Sequence, residues 1–303
     1  MLNVYEQIDA NKRKSVIIMI LFVVFITAIA YVFSEILGFG LSGTGMALII
    51  AGLISFFGYW FSDKIITTIS GARPAERQRD FLFYTAVENL CIVAQIPKPK
   101  LYVIEDSAPN AFAAGRDPQH SIVCATTGLL QKLNRTQLEG VIGHELSHIK
   151  NFDTLLMSVV TILVGMITLL ADWFLRATYF GGRRERNDRE GGQLQGILFV
   201  VGLVLALLSP LIAQLIQLAI SRRREFLADS SSVMFTRQPD GLIGALEIIS
   251  ADKEPLEAAN KATAHLYFAN PLKNVHQSIG WFASLFNTHP PVQERIKALK
   301  VMM

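Results

Sequence analysis

Cysteine is nearly absent from this 303-residue chain. Cys91 and Cys124 stand too far apart, and are too few, for a disulfide framework or a cysteine-based zinc ribbon; both read as small buried residues. Charge is scarce as well. Asp, Glu, Lys and Arg make up 17% of the residues against 51% hydrophobic ones, which moves the expectation away from an ordinary soluble enzyme and toward a membrane protein. The formal net charge is only +3, so no dedicated nucleic-acid face is expected. Internal repeats are missing too.

What the chain does have is long apolar runs. Residues 16–33, 41–61, 155–175 and 194–220 are each long enough to cross a bilayer, since about 20 residues at 1.5 Å each match a hydrocarbon core of about 30 Å. Pro210 predicts a kink in the last run. Lys12, Arg13 and Lys14 followed by Ala28-Ile29-Ala30 resemble a cleavable leader, but the run continues past that point and a second follows at once, so a helical hairpin anchor is expected.

The flanking cations set an orientation. Lys12, Arg13 and Lys14 precede the first run, and Lys64, Arg73, Arg77 and Arg79 follow the second, which places the N-terminal residues and 63–152 in the cytosol. Arg222, Arg223 and Arg224 after the fourth run agree. Arg176, Arg183, Arg184, Arg186 and Arg189 between runs three and four oppose it, unless those two runs form a hairpin that does not fully cross. Either way the chain returns to the side it left.

Four parts follow: an N-terminal hairpin (1–62), a polar block with a small sheet (63–152), a second hairpin (153–220) and a helical part (221–303). Within the first polar block a helix is expected over 74–95, ended by Pro97 and Pro99. Strands are expected at 101–104, 110–113 and 121–125, with Gly115-Arg116-Asp117-Pro118 as the turn between the last two. A helix should start after Thr126 or Thr127, and another at Thr136, where Glu139 three residues on suggests a capping box. An amphipathic helix is expected over 291–301.

That second helix carries Gly143-His144-Glu145-Leu146-Ser147-His148-Ile149-Lys150. Four residues apart, His144 and His148 project from one face, with Glu145 beside the first. Two neutral imidazoles can share one ion, and Zn²⁺ suits nitrogen and oxygen donors. Glu145 is then placed to take a proton from water attacking a carbonyl, which is hydrolytic chemistry. Gly at 151 and His at 154 would mark a metzincin, but the chain has Asn151 and Thr154, which excludes that subclass. Glu225 is the best-placed third donor. Spacing alone leaves it either that donor or one acid in a basic juxtamembrane cluster. His120, His265 and His276 lack ligand spacing and read as structural.

GHELSHIKN followed by two apolar runs and SRRREFLAD resembles the HtpX family of membrane-bound zinc metalloproteases, relatives of the CAAX prenyl proteases. Pro109-Asn110-Ala111-Phe112-Ala113, Ala125-Thr126-Thr127-Gly128-Leu129-Leu130 and Thr288-His289-Pro290-Pro291 with Arg295 and Ile296 extend the resemblance over nearly the whole chain. It implies an α-helical integral membrane protein with a mainly α, minor β (α+β), zincin-like metalloprotease domain of gluzincin type and about four membrane runs. It implies Glu225 as third ligand of one Zn²⁺ per chain, Asp229 as the acceptor orienting a ligating histidine, and Asn110, Ala111, Phe112 and Ala113 as an edge strand holding substrate backbone. It makes His289 a transition-state donor, or else a buried helix cap. Phe152 departs from the family's frequent Gly at that place, which puts the local junction in doubt.

The expected function is ATP-independent cleavage of misfolded or damaged membrane proteins and unfolded polypeptides at the cytosolic face of the cell membrane, in quality control and stress response. Its partners are polypeptides and the lipid bilayer. A peptidase for lipid-modified tails is the alternative enzyme, for which four runs are few. A non-catalytic metal carrier is the alternative from another class, and it would bury more polar residues inside its runs.

Overall fold

The computed structural model describes residues 4–36, 40–165, 222–252, 254, 256, 266–268 and 290–303. The fourth apolar run, the arginine-rich link before it, and the two further histidines His265 and His276 lie outside the described residues.

The first two runs are helices α1 (Val4–Ile36) and α2 (Gly40–Trp60), packed along one another. Among the described residues α2 is the one helix long and apolar enough to cross a membrane, with mean hydropathy 1.8. Apolar side chains cover the outside of both: Val16, Ile17, Ile20, Leu21 and Val24 on α1 and Leu48, Ile49, Leu53 and Phe56 on α2 are all exposed. At 33 residues α1 is about 50 Å long, so its first turns extend beyond the apolar stretch as an ordinary polar helix.

Helix α3 (Ser62–Ile69) leads into β1 (Arg73–Pro74). The helix expected from Pro74 begins only at Phe81, as α4 (Phe81–Ala94). Arg73 and Pro74 pair antiparallel with Val103 and Tyr102 instead; lacking an N–H, Pro74 suits that edge position. Arg73 then clamps Asp80, just ahead of α4, through Nη1 at 2.8 Å. Gln95, in the left-handed region at φ 56°, ends α4.

Strands β2 (Lys100–Ile104), β3 (Ala111–Gly115) and β4 (Ser121–Thr126) fall where the β-branched runs predicted. The sheet order is β1-β2-β4-β3, with β2 and β4 parallel and β3 and β4 antiparallel. Alternation along the strands gives each face a core. Leu101, Val103, Ala111, Ala113, Val123 and Ala125 pack on the helical layer. Ile104, Phe112, Ala114, Ile122 and Cys124 pack on Ile66 of α3, on Met157 and on Tyr267.

Helix α5 (Thr127–Lys132) starts at the Thr126 cap, whose hydroxyl accepts from the Leu129 N–H. The capping box of α6 (Arg135–Lys150) is not Thr136 with Glu139. Asn134 accepts from the Gln137 N–H while the Gln137 side chain accepts from the Asn134 N–H, each at 3.0 Å. Glu139 pairs with Arg135 instead. The described start of the third run is α7 (Asp153–Gly165), whose apolar residues are buried against the rest of the protein. It meets α2 where Gly58 leaves room, since a Cβ there would lie 2.9 Å from Ile162. Helices α8 (Arg222–Thr236), α9 (Pro239–Ala251) and α10 (Val292–Lys300) complete the layer around α6.

Candidate metal centre

Helix α6 is buried along nearly all of its second half, from Gly140 to Ile149. Its two glycines explain how α8 and α9 come so near. A Cβ on Gly143 would lie 2.8 Å from Ser232 Oγ, and one on Gly140 would meet the Leu242 backbone of α9. Ser232 uses that approach to bond the Gly140 carbonyl at 2.6 Å. Glu225, Asp229 and Ser232 recur at helical spacing on the buried side of α8, so the approach that seats Ser232 also carries both carboxylates to the histidines.

His144 and His148 meet with their Nε2 atoms 3.1 Å apart. The Glu225 carboxylate lies 3.6 Å from each of them, through Oε2 and Oε1. One ligand atom from each of the three residues falls within 4.8 Å of the others, and all three residues are buried. Both Nδ1 atoms face away, toward carboxylates: His144 toward Asp229 Oδ1 at 2.8 Å and His148 toward Asp153 Oδ2 at 3.0 Å. With Nδ1 donating, the two Nε2 lone pairs point at one another, an arrangement that repels unless they share a cation. Burial disfavours a charged His144, yet Asp229 and Glu225 outweigh it and hold the imidazole up to about 9. The same carboxylates also favour a proton on His144, which a bound ion would have to displace. The donor set itself fits a divalent ion bound by two imidazoles and a carboxylate.

Asp229 is itself anchored. Arg295 of α10, 1% exposed, donates to both its oxygens, Nε to Oδ2 at 2.8 Å and Nη2 to Oδ1 at 2.6 Å. Burial pushes the Asp229 carboxyl up, but Arg295 and His144 bring it below its ordinary value. The Arg295 guanidinium lies 4.6 Å from the Phe268 ring, and that ring meets His144 edge-on at 4.9 Å.

Asp153 has a different origin. The last turn of α6 closes at Asn151, and Phe152, in the left-handed region at φ 58°, reverses the chain and brings Asp153 back beside His148. This is the position where Gly is frequent in the resembling family, and its geometry is the one Gly adopts most readily. Lys12 of α1 sits over the Phe152 ring at 4.3 Å.

Glu145 is 2% exposed. Burial lowers the Arg295 guanidinium, but Asp229 above all, then Glu225 and Glu145, raise it, and burial with a smaller push from Glu145 raises the Cys124 thiol of β4. The helix of Glu145 packs against β3 of the sheet. There β3 is the terminal strand. The Asn110 carbonyl bonds the Thr126 N–H inside the sheet, so by alternation Ala111 and Ala113 direct their main-chain groups to the outer edge. The Ala111 carbonyl there accepts from the Phe268 N–H at 2.8 Å, and Phe112 stacks edge-on with Tyr267 at 5.1 Å.

The structure thus brings together His144, Glu145, His148, Glu225 and Asp229, and sets the strand of Ala111, Phe112 and Ala113 beside their helix, with Asn110 just ahead of it. His289 lies outside the described residues. His120 is exposed and pairs with Asp117 at 2.8 Å, as a structural residue. Sequence reasoning missed Asp153, which stands five residues after His148 beyond a helix end. It also gave Arg295 no role, although a lone arginine on the buried side of an amphipathic helix was a visible signal.

A model of peptidase family M48 matches residues 82–303. The chain is 42% identical over 296 residues to a protein described as Protease HtpX homolog from Caldanaerobacter subterraneus subsp. tengcongensis, covering 98% of this chain and 97% of that protein. It is 42% identical over 298 residues to a protein of the same description from Dictyoglomus thermophilum, covering 98% and 94%. With that of Thermoanaerobacter pseudethanolicus it shares 43% over 300 residues, covering 98% and 97%.

Proposed function

Since this chain belongs to peptidase family M48 and is a metalloprotease, we propose that it is a zinc-dependent, ATP-independent membrane endopeptidase that cleaves unfolded polypeptides and damaged membrane proteins at the cytosolic membrane face. The observation that carries this reading is the convergence of the two Nε2 atoms of α6, the helix that also holds Glu145, and the Glu225 carboxylate of α8, all buried.

In this reading His144, His148 and Glu225 would hold one Zn²⁺, which would supply Lewis-acid polarisation of a carbonyl and a more acidic water near neutral pH. Glu145 accepts a proton from the attacking water and returns it to the leaving amine. Asp229 and Asp153 keep both Nδ1–H groups occupied, so that each Nε2 stays directed at the metal. A substrate strand adds to the outer edge of β3, pairing with Ala113 and displacing Phe268 from Ala111; main-chain pairing accepts varied sequences.

Membrane attachment is supported by the exposed apolar faces of α1 and α2. The cations at 12–14 and 64–79 support a cytosolic site. Arg116, which bonds the Trp60 carbonyl at 2.6 Å and lies over the Trp60 ring at 4.4 Å, ties the end of α2 to the sheet. The site would then sit at the bilayer boundary, within reach of the loops and unfolded ends of other membrane proteins, a placement suited to quality control.

The test is degradation of an unfolded model protein by the detergent-purified enzyme without ATP. Wild type should cleave, chelation should stop cleavage and zinc restore it, and Glu145→Gln should lose at least about 100-fold, the scale of a lost general base. An inactive wild type that still binds zinc would remove the protease reading and favour metal binding alone.

A further inference from the structure

We propose that Asn11 is a positioning residue of the metal centre, acting from the N-terminal helix through Asp153 on the ligand His148. The inference rests on the reading of His148 as a ligand and extends the site to an element far from it in sequence.

The geometry is specific. Asn11 is 3% exposed, in a helix where Val16 and Ile17 just beyond it are exposed. Its amide nitrogen donates to Asp153 Oδ1 at 2.8 Å and to the Asn151 carbonyl at 3.1 Å. Its amide oxygen accepts from Arg224 Nη1 at 3.2 Å. All three of the hydrogen-bonding partners come from elements that carry or adjoin the ligands: the end of α6, the start of α7 and the start of α8. A side chain that only docked α1 would not need to meet each of them.

The effect on Asp153 follows from its two oxygens. Oδ2 takes the His148 Nδ1–H, and Oδ1 takes the Asn11 amide. Two donors fix the carboxylate against rotation about its terminal bond, and with it the imidazole plane. Asn11 is also neutral. It orients the carboxylate without drawing off its charge, leaving Asp153 a strong acceptor for His148 and His148 a better donor through Nε2. Among the described residues Arg224 forms a longer ion pair with Asp153, at 3.6 Å from Oδ1. Without the amide, that guanidinium would be the remaining group to pull Oδ1 away.

The experiment uses the full chain in detergent, stripped of metal and titrated with Co²⁺ against a chromophoric chelator, with the Co²⁺ absorption bands recorded. Asn11→Ala should bind Co²⁺ about 10- to 100-fold more weakly, the range for partners that orient metal ligands, with changed bands. Asn11→Asp, isosteric but setting a carboxylate against Asp153, should lose at least as much; it carries the test if the alanine variant does not fold. Ser15→Ala is the control, because this fully buried hydroxyl bonds only its own helix at the Asn11 carbonyl, 2.9 Å away. It should bind within twofold of wild type. Asn11 variants that bind within twofold of wild type would overturn the proposal, as would an equal loss in Ser15→Ala, which would mean docking of α1 alone. Failure of the wild type to bind Co²⁺ would instead remove the metal-site reading beneath it.

Discussion

His144 and His148 stand one turn apart on one helix, and each gives its Nδ1 to a carboxylate, yet the two carboxylates are held in opposite ways. Asp229 is locked by a buried arginine across two short bonds. Asp153 is held at 2.8 Å by a neutral amide and, among the described residues, only loosely by a cation, Arg224 at 3.6 Å. The first arm is a charge pair closed inside the helical layer. The second is a hydrogen-bond relay that reaches out to α1. A buried charge pair is costly to break, because the remaining partner is left uncompensated, whereas a neutral donor mainly sets direction. The two arms therefore suggest a division of labour: one helps hold the helices together, and the other tunes a ligand.

The largest effect should come from the carboxylate that meets both histidines at Nε2. Glu225→Ala should lower metal affinity by more than the roughly 100-fold that an orienting partner can account for, measured as metal retained after dialysis. Next, Arg295→Ala should cost about 3–5 kcal/mol of unfolding free energy in mild detergent, while Asn11→Ala should cost about 1–3 kcal/mol. Equal costs would dissolve the contrast. Acid should separate the arms too. The Asp229 carboxyl lies below its ordinary value of 3.8 in the folded protein, so its contribution is complete above that value and disappears as pH falls through the native one. Arg295→Ala should flatten that acid limb of the stability profile, and an unchanged limb would mean that Asp229 is not its source. Gly143→Ala should cost about 1–3 kcal/mol by pushing α8 from α6, felt first in the Asp229 arm. The smallest change belongs to Phe152→Gly. It relieves a left-handed backbone but forfeits the Lys12 contact and adds chain entropy, for a net change within about 1 kcal/mol by thermal unfolding.

What the sequence made legible has a physical pattern. The HELSH helix, the three strands and the Thr126 cap follow from contacts a few residues apart, and those appear where expected. The Pro74 helix failed because its first turns were claimed by pairing with β2 and by the Arg73–Asp80 clamp. The capping box was misplaced by two residues because two cap-like pairs overlap, and only Asn134 and Gln137 make the reciprocal bonds. Glu225 needed family resemblance, since its distance along the chain is bridged by glycine contacts that carry no periodic signal. Asn11 and Asp153 lie 142 residues apart, and no local rule connects an amide in a basic N-terminal helix to a carboxylate after a helix end. The Phe152 departure was visible, and the junction it put in doubt proved to be the turn that delivers Asp153.

The placement of Arg295 also has a consequence in time. It comes 151 residues after His144, and at about 5–20 residues per second synthesis covers that gap in roughly 8–30 seconds. During that interval a growing chain already contains the two histidines and Glu145, but the carboxylate destined for His144 is either unmade or lacks its counter-charge. The His144 arm therefore cannot close as it stands in the folded protein until α10 has been made and has docked against α8.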